Sequence, residues 1–84
     1  MRYEYKPSFD RTFKKLTKER QKRATKAISS LIDFFEGAQR RPRLGLKQLR
    51  GNFWEIRVGI KDRIIFTFED DTISFVIILF FPPE

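Results

Sequence analysis

The chain has 84 residues, with 18 Lys and Arg against 11 Asp and Glu, a net charge of +7 and an isoelectric point near 10.2. Cysteine and histidine are both absent, which excludes disulfides, thiolate metal sites and imidazole acid–base chemistry. A chain this short buries only roughly 60–65% of its unfolded surface, so one domain spanning 1–84 with one modest core is expected.

Hydrophobic residues make up 40% of the chain and aromatics 15%, ten of them Phe, which suits a folded rather than a disordered chain. Met1–Tyr5 has no apolar signal-peptide core. The apolar run Ile73–Phe81 is far shorter than the roughly 20 residues of a membrane span. A soluble, cytoplasmic protein with no membrane partner is expected. The positive charge is clustered, which points to nucleic acid or an acidic protein partner.

Arg2–Lys6 alternates charged and aromatic residues, the period of a short strand. Pro7 ends it and Ser8 is placed to cap a helix carrying Phe9, Phe13 and Leu16 on one stripe. Thr17 is the expected N-cap of a longer helix, whose Ala24, Ala27, Ile28, Leu31, Ile32 and Phe35 fall on one face. Gly37 fits its C-terminal stop. The two helices are close enough in sequence to form a hairpin.

Ala38–Gly51 is basic and lacks a clean period, so it reads as a loop carrying Arg40, Arg41, Arg43, Lys47 and Arg50. Phe53–Val58, Arg63–Phe68 and Ile73–Phe80 then read as strands, joined by turns at Gly59–Asp62 and Asp70–Asp71. The order is β-α-α-β-β-β, an α+β fold with a helical hairpin on one face of a small antiparallel sheet. The last strand is apolar on both faces, which argues for a central position.

Parity assigns the faces. The helices need an apolar floor, so Trp54, Ile56 and Val58 must share a side with Ile64, Phe66 and Phe68. Glu55, Arg57 and Arg63 then stand together on the other side. Like charges at neighbouring cross-strand positions destabilise a sheet. Either Glu55 sits between the arginines in a solvated ion-pair cluster, or the two guanidiniums form a site for a phosphate.

These elements resemble the RelE/ParE toxins, the toxic half of type II toxin–antitoxin pairs. The resemblance rests on Phe9, Phe13 and Leu16, on Leu49-Arg50-Gly51, and above all on Trp54-Glu55-Ile56-Arg57-Val58-Gly59 followed by Asp62-Arg63-Ile64-Ile65-Phe66. It implies a ribosome-dependent endoribonuclease, in which the 2′-hydroxyl of the mRNA attacks its own neighbouring phosphate. Arg57 and Arg63 match basic positions of the family's signature hairpin. Glu55 falls where some ribonuclease members carry lysine, and a carboxylate there is a candidate general base. Arg40, Arg41, Arg43, Lys47, Arg50 and Lys61 are the expected RNA contacts; no metal or other cofactor is expected.

The family also contains inhibitors of DNA gyrase, and a silent toxin that only binds its antitoxin is a third reading. Active ribonucleases carry a tyrosine, histidine or further basic residues after the last strand, whereas Leu79–Glu84 offers only a carboxyl group. That departure favours gyrase inhibition, and the paired arginines favour the nuclease. Tyr3 and Tyr5 are the only phenols, with packing as their expected role. The resemblance further implies a cognate antitoxin with a flexible, often acidic segment. Arg20, Lys22, Arg23, Lys26 and the Arg40–Arg43 cluster suit it. Antitoxin or a second copy is expected to cover the apolar Val76–Phe81.

Overall fold

The computed structural model describes residues 1–37 and 45–80. They form β1 (Arg2–Tyr5), α1 (Pro7–Lys14), α2 (Lys18–Phe35), β2 (Lys47–Arg50), β3 (Phe53–Val58), β4 (Asp62–Glu69) and β5 (Thr72–Phe80). The strands make one sheet in the order β1-β5-β4-β3-β2. The helical stripe Ala24, Ala27, Ile28 and Leu31 is buried against Ile56, Val58, Ile64, Phe66, Ile73, Phe75 and Ile78. The α+β class, the helical hairpin and the one-sided packing therefore agree with the sequence pattern.

Two details of the sheet differ from expectation. Lys47–Arg50, read as loop, is an edge strand antiparallel to β3, with a register shift between Gln48 and Arg50. Its four residues are all exposed, so no alternation of polarity marks it. A tight turn through Gly51, at φ 57°, returns the chain to β3. The sheet is also mixed rather than wholly antiparallel, because β1 pairs parallel to β5. Central β5 lies between β1 and β4, as its two apolar faces suggested.

The helix ends divide between confirmation and correction. Thr17 caps α2, its side chain accepting from Arg20 N, and Gly37 follows the helix at φ 104°. Ser8 does not cap α1, whose N-cap is Lys6 with Pro7 in the first turn. The Ser8 hydroxyl instead donates to the Val76 carbonyl. Thr12 Oγ1 accepts from Ile78 N at 3.0 Å. Beyond the reach of β1, then, hydroxyls of α1 engage the Val76 carbonyl and the Ile78 N–H of β5. Leu79 remains 49% exposed within the segment expected to be covered by antitoxin or a second copy, and Phe81 lies outside the described residues.

A β-bulge lies in β5 between Phe75 and Ile77, where Ile65 pairs with Ile77 but Phe66 pairs with Phe75. The extra residue, Val76, reverses the parity of β5. Phe75 before it and Ile78 after it both face the helices, while Ile77 and Leu79 turn to the open side. Asp70 and Asp71 make the two-residue turn into β5 with φ of 50° and 58°, the left-handed pair of a type I′ hairpin.

Candidate functional site

Strands β3 and β4 pair Arg57 with Arg63, Glu55 with Ile65 and Phe53 with Thr67. The alternate pairs, Ile56 with Ile64 and Trp54 with Phe66, belong to the core under the helices. The two arginines are thus directly opposed on the open face, as parity requires, and both are exposed. Directly opposed residues stand about 5 Å apart at Cβ, close enough for both guanidiniums to reach one anion.

Glu55 stands on the same face but is 6% exposed rather than solvated. Lys47 of β2 flanks it on one side and Ile65 of β4 on the other. Both of its carboxylate oxygens lie 3.4 Å from Arg63 Nη1, a long contact on a side chain that is 48% exposed. Among the described residues Glu55 makes no ion pair with Arg57, so it does not bridge the two arginines. Arg57 has no ion pair or side-chain hydrogen bond among them. Its aliphatic stem lies over Gly45, where a Cβ would come within 3.3 Å of Arg57 Cγ and Cδ. Gly45 also has φ of 61°, so a side chain there would be strained as well as crowded.

The expected RNA contacts are distributed around this face. Lys47 is exposed opposite Glu55, Arg50 is exposed opposite Phe53, and Lys61 is exposed in the loop joining β3 to β4. Arg40, Arg41 and Arg43 lie outside the described residues. No cluster of metal-ligating side chains occurs among the described residues, and no helix is long and apolar enough to cross a membrane.

Opposite chemistry holds the same hairpin from beneath. Asp62, the first residue of β4, is buried and forms a bidentate pair with Arg20 of α2, Nε donating at 3.0 Å to Oδ2 and Nη2 donating to Oδ1. That hydrogen bond raises the Arg20 pKa, and the guanidinium also lies 5.7 Å from the Phe80 ring centre. Arg20 is therefore engaged inside the fold and not part of a solvated antitoxin surface. Its spacing carries the signal: Arg20 stands four residues before Ala24 and seven before Ala27, on the core-facing stripe, whereas Lys22 and Arg23 lie off it.

The phenols are packed on the helical side. Tyr3 donates to Glu36 Oε1 at 2.7 Å, and burial together with that bond pushes its pKa up to about 12. Tyr5 stacks on Phe75 with ring centres 5.0 Å apart, and burial raises its pKa too. Neither can serve chemistry on the open face.

A further basic feature lies on the helices. A shallow depression of about 570 Å³ is lined by Phe13, Lys18, Gln21, Lys22, Thr25 and Lys26, among others. Lys18, Lys22 and Lys26 recur every four residues and so line one face of α2.

No family model and no curated protein matches this sequence. Solved structures do match in shape. Over 92% of this chain and 88% of the other, it resembles the toxin fold in the RelB–RelE antitoxin–toxin complex of Methanococcus jannaschii, at 24% identity and a TM-score of 0.73. The archaeal RelE–RelB complex of Pyrococcus horikoshii matches over 94% and 92%, at 18% identity and a TM-score of 0.70. The YoeB dimer of Staphylococcus aureus matches over 98% of both chains, at 14% identity and a TM-score of 0.69. The fold is that of the toxins of toxin–antitoxin pairs. More narrowly, it is the RelE-like fold that RelE and YoeB share.

Proposed function

We propose that this protein is the toxin of a type II toxin–antitoxin pair and an endoribonuclease that cuts mRNA on the ribosome. The supporting observation is the directly opposed, exposed pair Arg57 and Arg63, with a carboxylate beside one of them. Two like charges at one cross-strand position cost stability, and an anion held between them reverses that cost.

The chemistry follows from what stands on the face. The 2′-oxygen of one nucleotide attacks the adjacent phosphorus, and the bond from phosphorus to the 5′-oxygen of the next nucleotide breaks. A 2′,3′-cyclic phosphate and a 5′-hydroxyl result. Negative charge grows on the phosphate as the bonds exchange, and Arg57 and Arg63 neutralise it. Arg63 exchanges its long contact with Glu55 for the phosphate, which frees Glu55 to take the 2′-hydroxyl proton. Among the described residues this face carries no phenol or imidazole, so solvent water gives the leaving 5′-oxygen its proton. Charge stabilisation by the arginines is then the main lever on rate. Lys47, Arg50 and Lys61, with Arg40, Arg41 and Arg43, track the flanking phosphates and ribosomal RNA.

The cognate antitoxin is an acidic polypeptide that covers the toxin when translation is to proceed. The net charge of +7 and the lysine-lined depression on α2 both suit it, with Phe13 an apolar part of the same lining. The RelE-like neighbour from Methanococcus jannaschii was solved with its own antitoxin.

Induced expression followed by primer extension on a reporter mRNA tests the reading. Cuts inside translated codons, absent with Arg63→Ala, are expected. Intact mRNA with DNA-damage signalling would assign the protein to gyrase inhibition instead, and unaffected cells would leave only antitoxin binding.

A further inference from the structure

The row of side chains that contains the two arginines does not stop at β4. Arg57 pairs with Arg63 and Arg63 pairs with Leu79, so the three stand side by side across β3, β4 and β5. Strands are about 4.8 Å apart, which puts Leu79 next to Arg63 and roughly 10 Å from Arg57. Leu79 is 49% exposed, although it lies in one of the most apolar segments of the chain. The neighbouring row repeats the division, with Glu55 on β3 and then Ile65 and Ile77 on β4 and β5. In these two rows the open face is charged at its β3 side and apolar at its β5 side, whereas the next row, Phe53, Thr67, Ser74 and Glu4, runs the other way.

Leu79 reaches this face because of the bulge. Counting by twos from Phe75, which faces the helices, would carry residue 79 under the helices as well. The extra residue Val76 reverses that parity, and α1 fixes the bulge through Ser8 on the Val76 carbonyl and Thr12 on Ile78 N. The same parity change seats Ile78 and Phe80 against the core, and it leaves Leu79 on the open face beside Arg63. Bulges that re-aim a side chain are common next to functional sites.

A nucleotide has the same two halves, an anionic phosphate and a flat, largely apolar base joined by one sugar. We propose that Leu79 is the base seat of this site, packing on the face of the nucleobase adjacent to the phosphate that Arg57 and Arg63 hold. This rests on the nuclease reading and adds a positioning residue to it. A leucine has no hydrogen-bond donor or acceptor, so the seat selects for a base of any kind and discriminates among the four bases only weakly. The apolar half of the face could instead anchor an antitoxin side chain, and the test separates the two.

The test is the rate of cleavage on mRNA-programmed ribosomes by the full chain, using two RNAs. One is intact and the other has an abasic ribose beside the mapped cleavage point. Leu79→Thr, which keeps a strand-forming residue, is expected to lower kcat/KM on intact RNA by about tenfold, in the range of a lost base contact. On the abasic RNA the same variant should lose less than about twofold, because the contact is already missing. Leu79→Phe should retain wild-type activity on intact RNA, and matched thermal midpoints would establish that both variants fold. Equal losses on both RNAs would overturn the inference by making Leu79 merely structural. So would unchanged cleavage by Leu79→Thr, including the case where only antitoxin affinity falls. Should the wild type cut neither RNA while still binding its antitoxin, the nuclease reading fails first and takes the base seat with it.

Discussion

The hairpin of β3 and β4 carries an arginine–carboxylate pair on each of its faces, and the two pairs are built differently. Under the helices, Arg20 grips both oxygens of Asp62, with side chains that are 13% and 4% exposed. On the open face, Arg63 touches Glu55 only at 3.4 Å, is half exposed itself, and stands opposite a second arginine that has no carboxylate partner among the described residues. The first pair is closed. Its donors and acceptors are satisfied within the fold, and its role is to tie the start of β4 to α2. The second is open, because an incoming phosphate can outcompete a long, lone contact. Charge alone does not separate structural from functional arginines here; how completely each is satisfied does.

Substitutions can break this comparison from either side. The largest expected effect is on chemistry: Arg63→Ala should slow mRNA cleavage by about 10³-fold, roughly 4 kcal/mol of transition-state stabilisation. Its urea midpoint should barely move, since a half-exposed pair contributes at most about 1 kcal/mol. A large stability loss with normal cleavage would reverse the assignment of the two pairs.

Asp62→Asn should do the opposite. Breaking a buried pair strands a cation inside the fold, and about 3 kcal/mol of unfolding free energy should be lost. Cleavage measured well below the lowered thermal midpoint should change little.

Thr12→Val removes the acceptor for Ile78 N and should cost about 1–2 kcal/mol in chemical denaturation. Because that bond holds the bulge, the variant should also cleave more slowly at temperatures where it remains folded.

Tyr3→Phe is expected to have the smallest effect, about 0.5–1 kcal/mol from one partly exposed hydrogen bond, with cleavage unchanged. The Tyr3 phenol titrates near 12 in the folded chain and near 10 when unfolded. Its contribution is therefore fully present below pH 10 and is lost as pH rises through 12, because the unfolded chain gives up the proton first. The alkaline limb of the stability curve should be shallower in Tyr3→Phe than in the wild type.

The parts of the fold that were legible are those with a period. Ala24, Ala27, Ile28 and Leu31 recur at helical spacing, and Trp54-to-Val58 and Ile64-to-Phe68 alternate against a helical floor. Parity alone therefore placed Arg57 beside Arg63. What the sequence concealed lacks a local signal. Lys47–Arg50 is exposed throughout, so only its pairing with β3 makes it a strand. The parallel contact of β1 with β5 joins residues some 70 positions apart, which no window of sequence reports.

The bulge at Val76 is hidden for the opposite reason. Ile73–Phe80 is apolar at almost every position, so a parity change leaves no trace in its pattern. Glu55 and Asp62 look like ordinary surface carboxylates in sequence. Their burial follows from which neighbours the sheet sets beside them, and Gly45 shows its use only once the Arg57 stem is seen lying over it.

The central claim is that Arg57 and Arg63 hold one phosphate between them. Single-turnover cleavage rates for the wild type, Arg57→Ala, Arg63→Ala and the double variant on mRNA-programmed ribosomes address it directly. Shared contact with a single group makes the losses strongly non-additive, so the double variant should be only a few-fold slower than Arg63→Ala. Losses that multiply in full would mean the two arginines act at separate places, and the shared site would be contradicted.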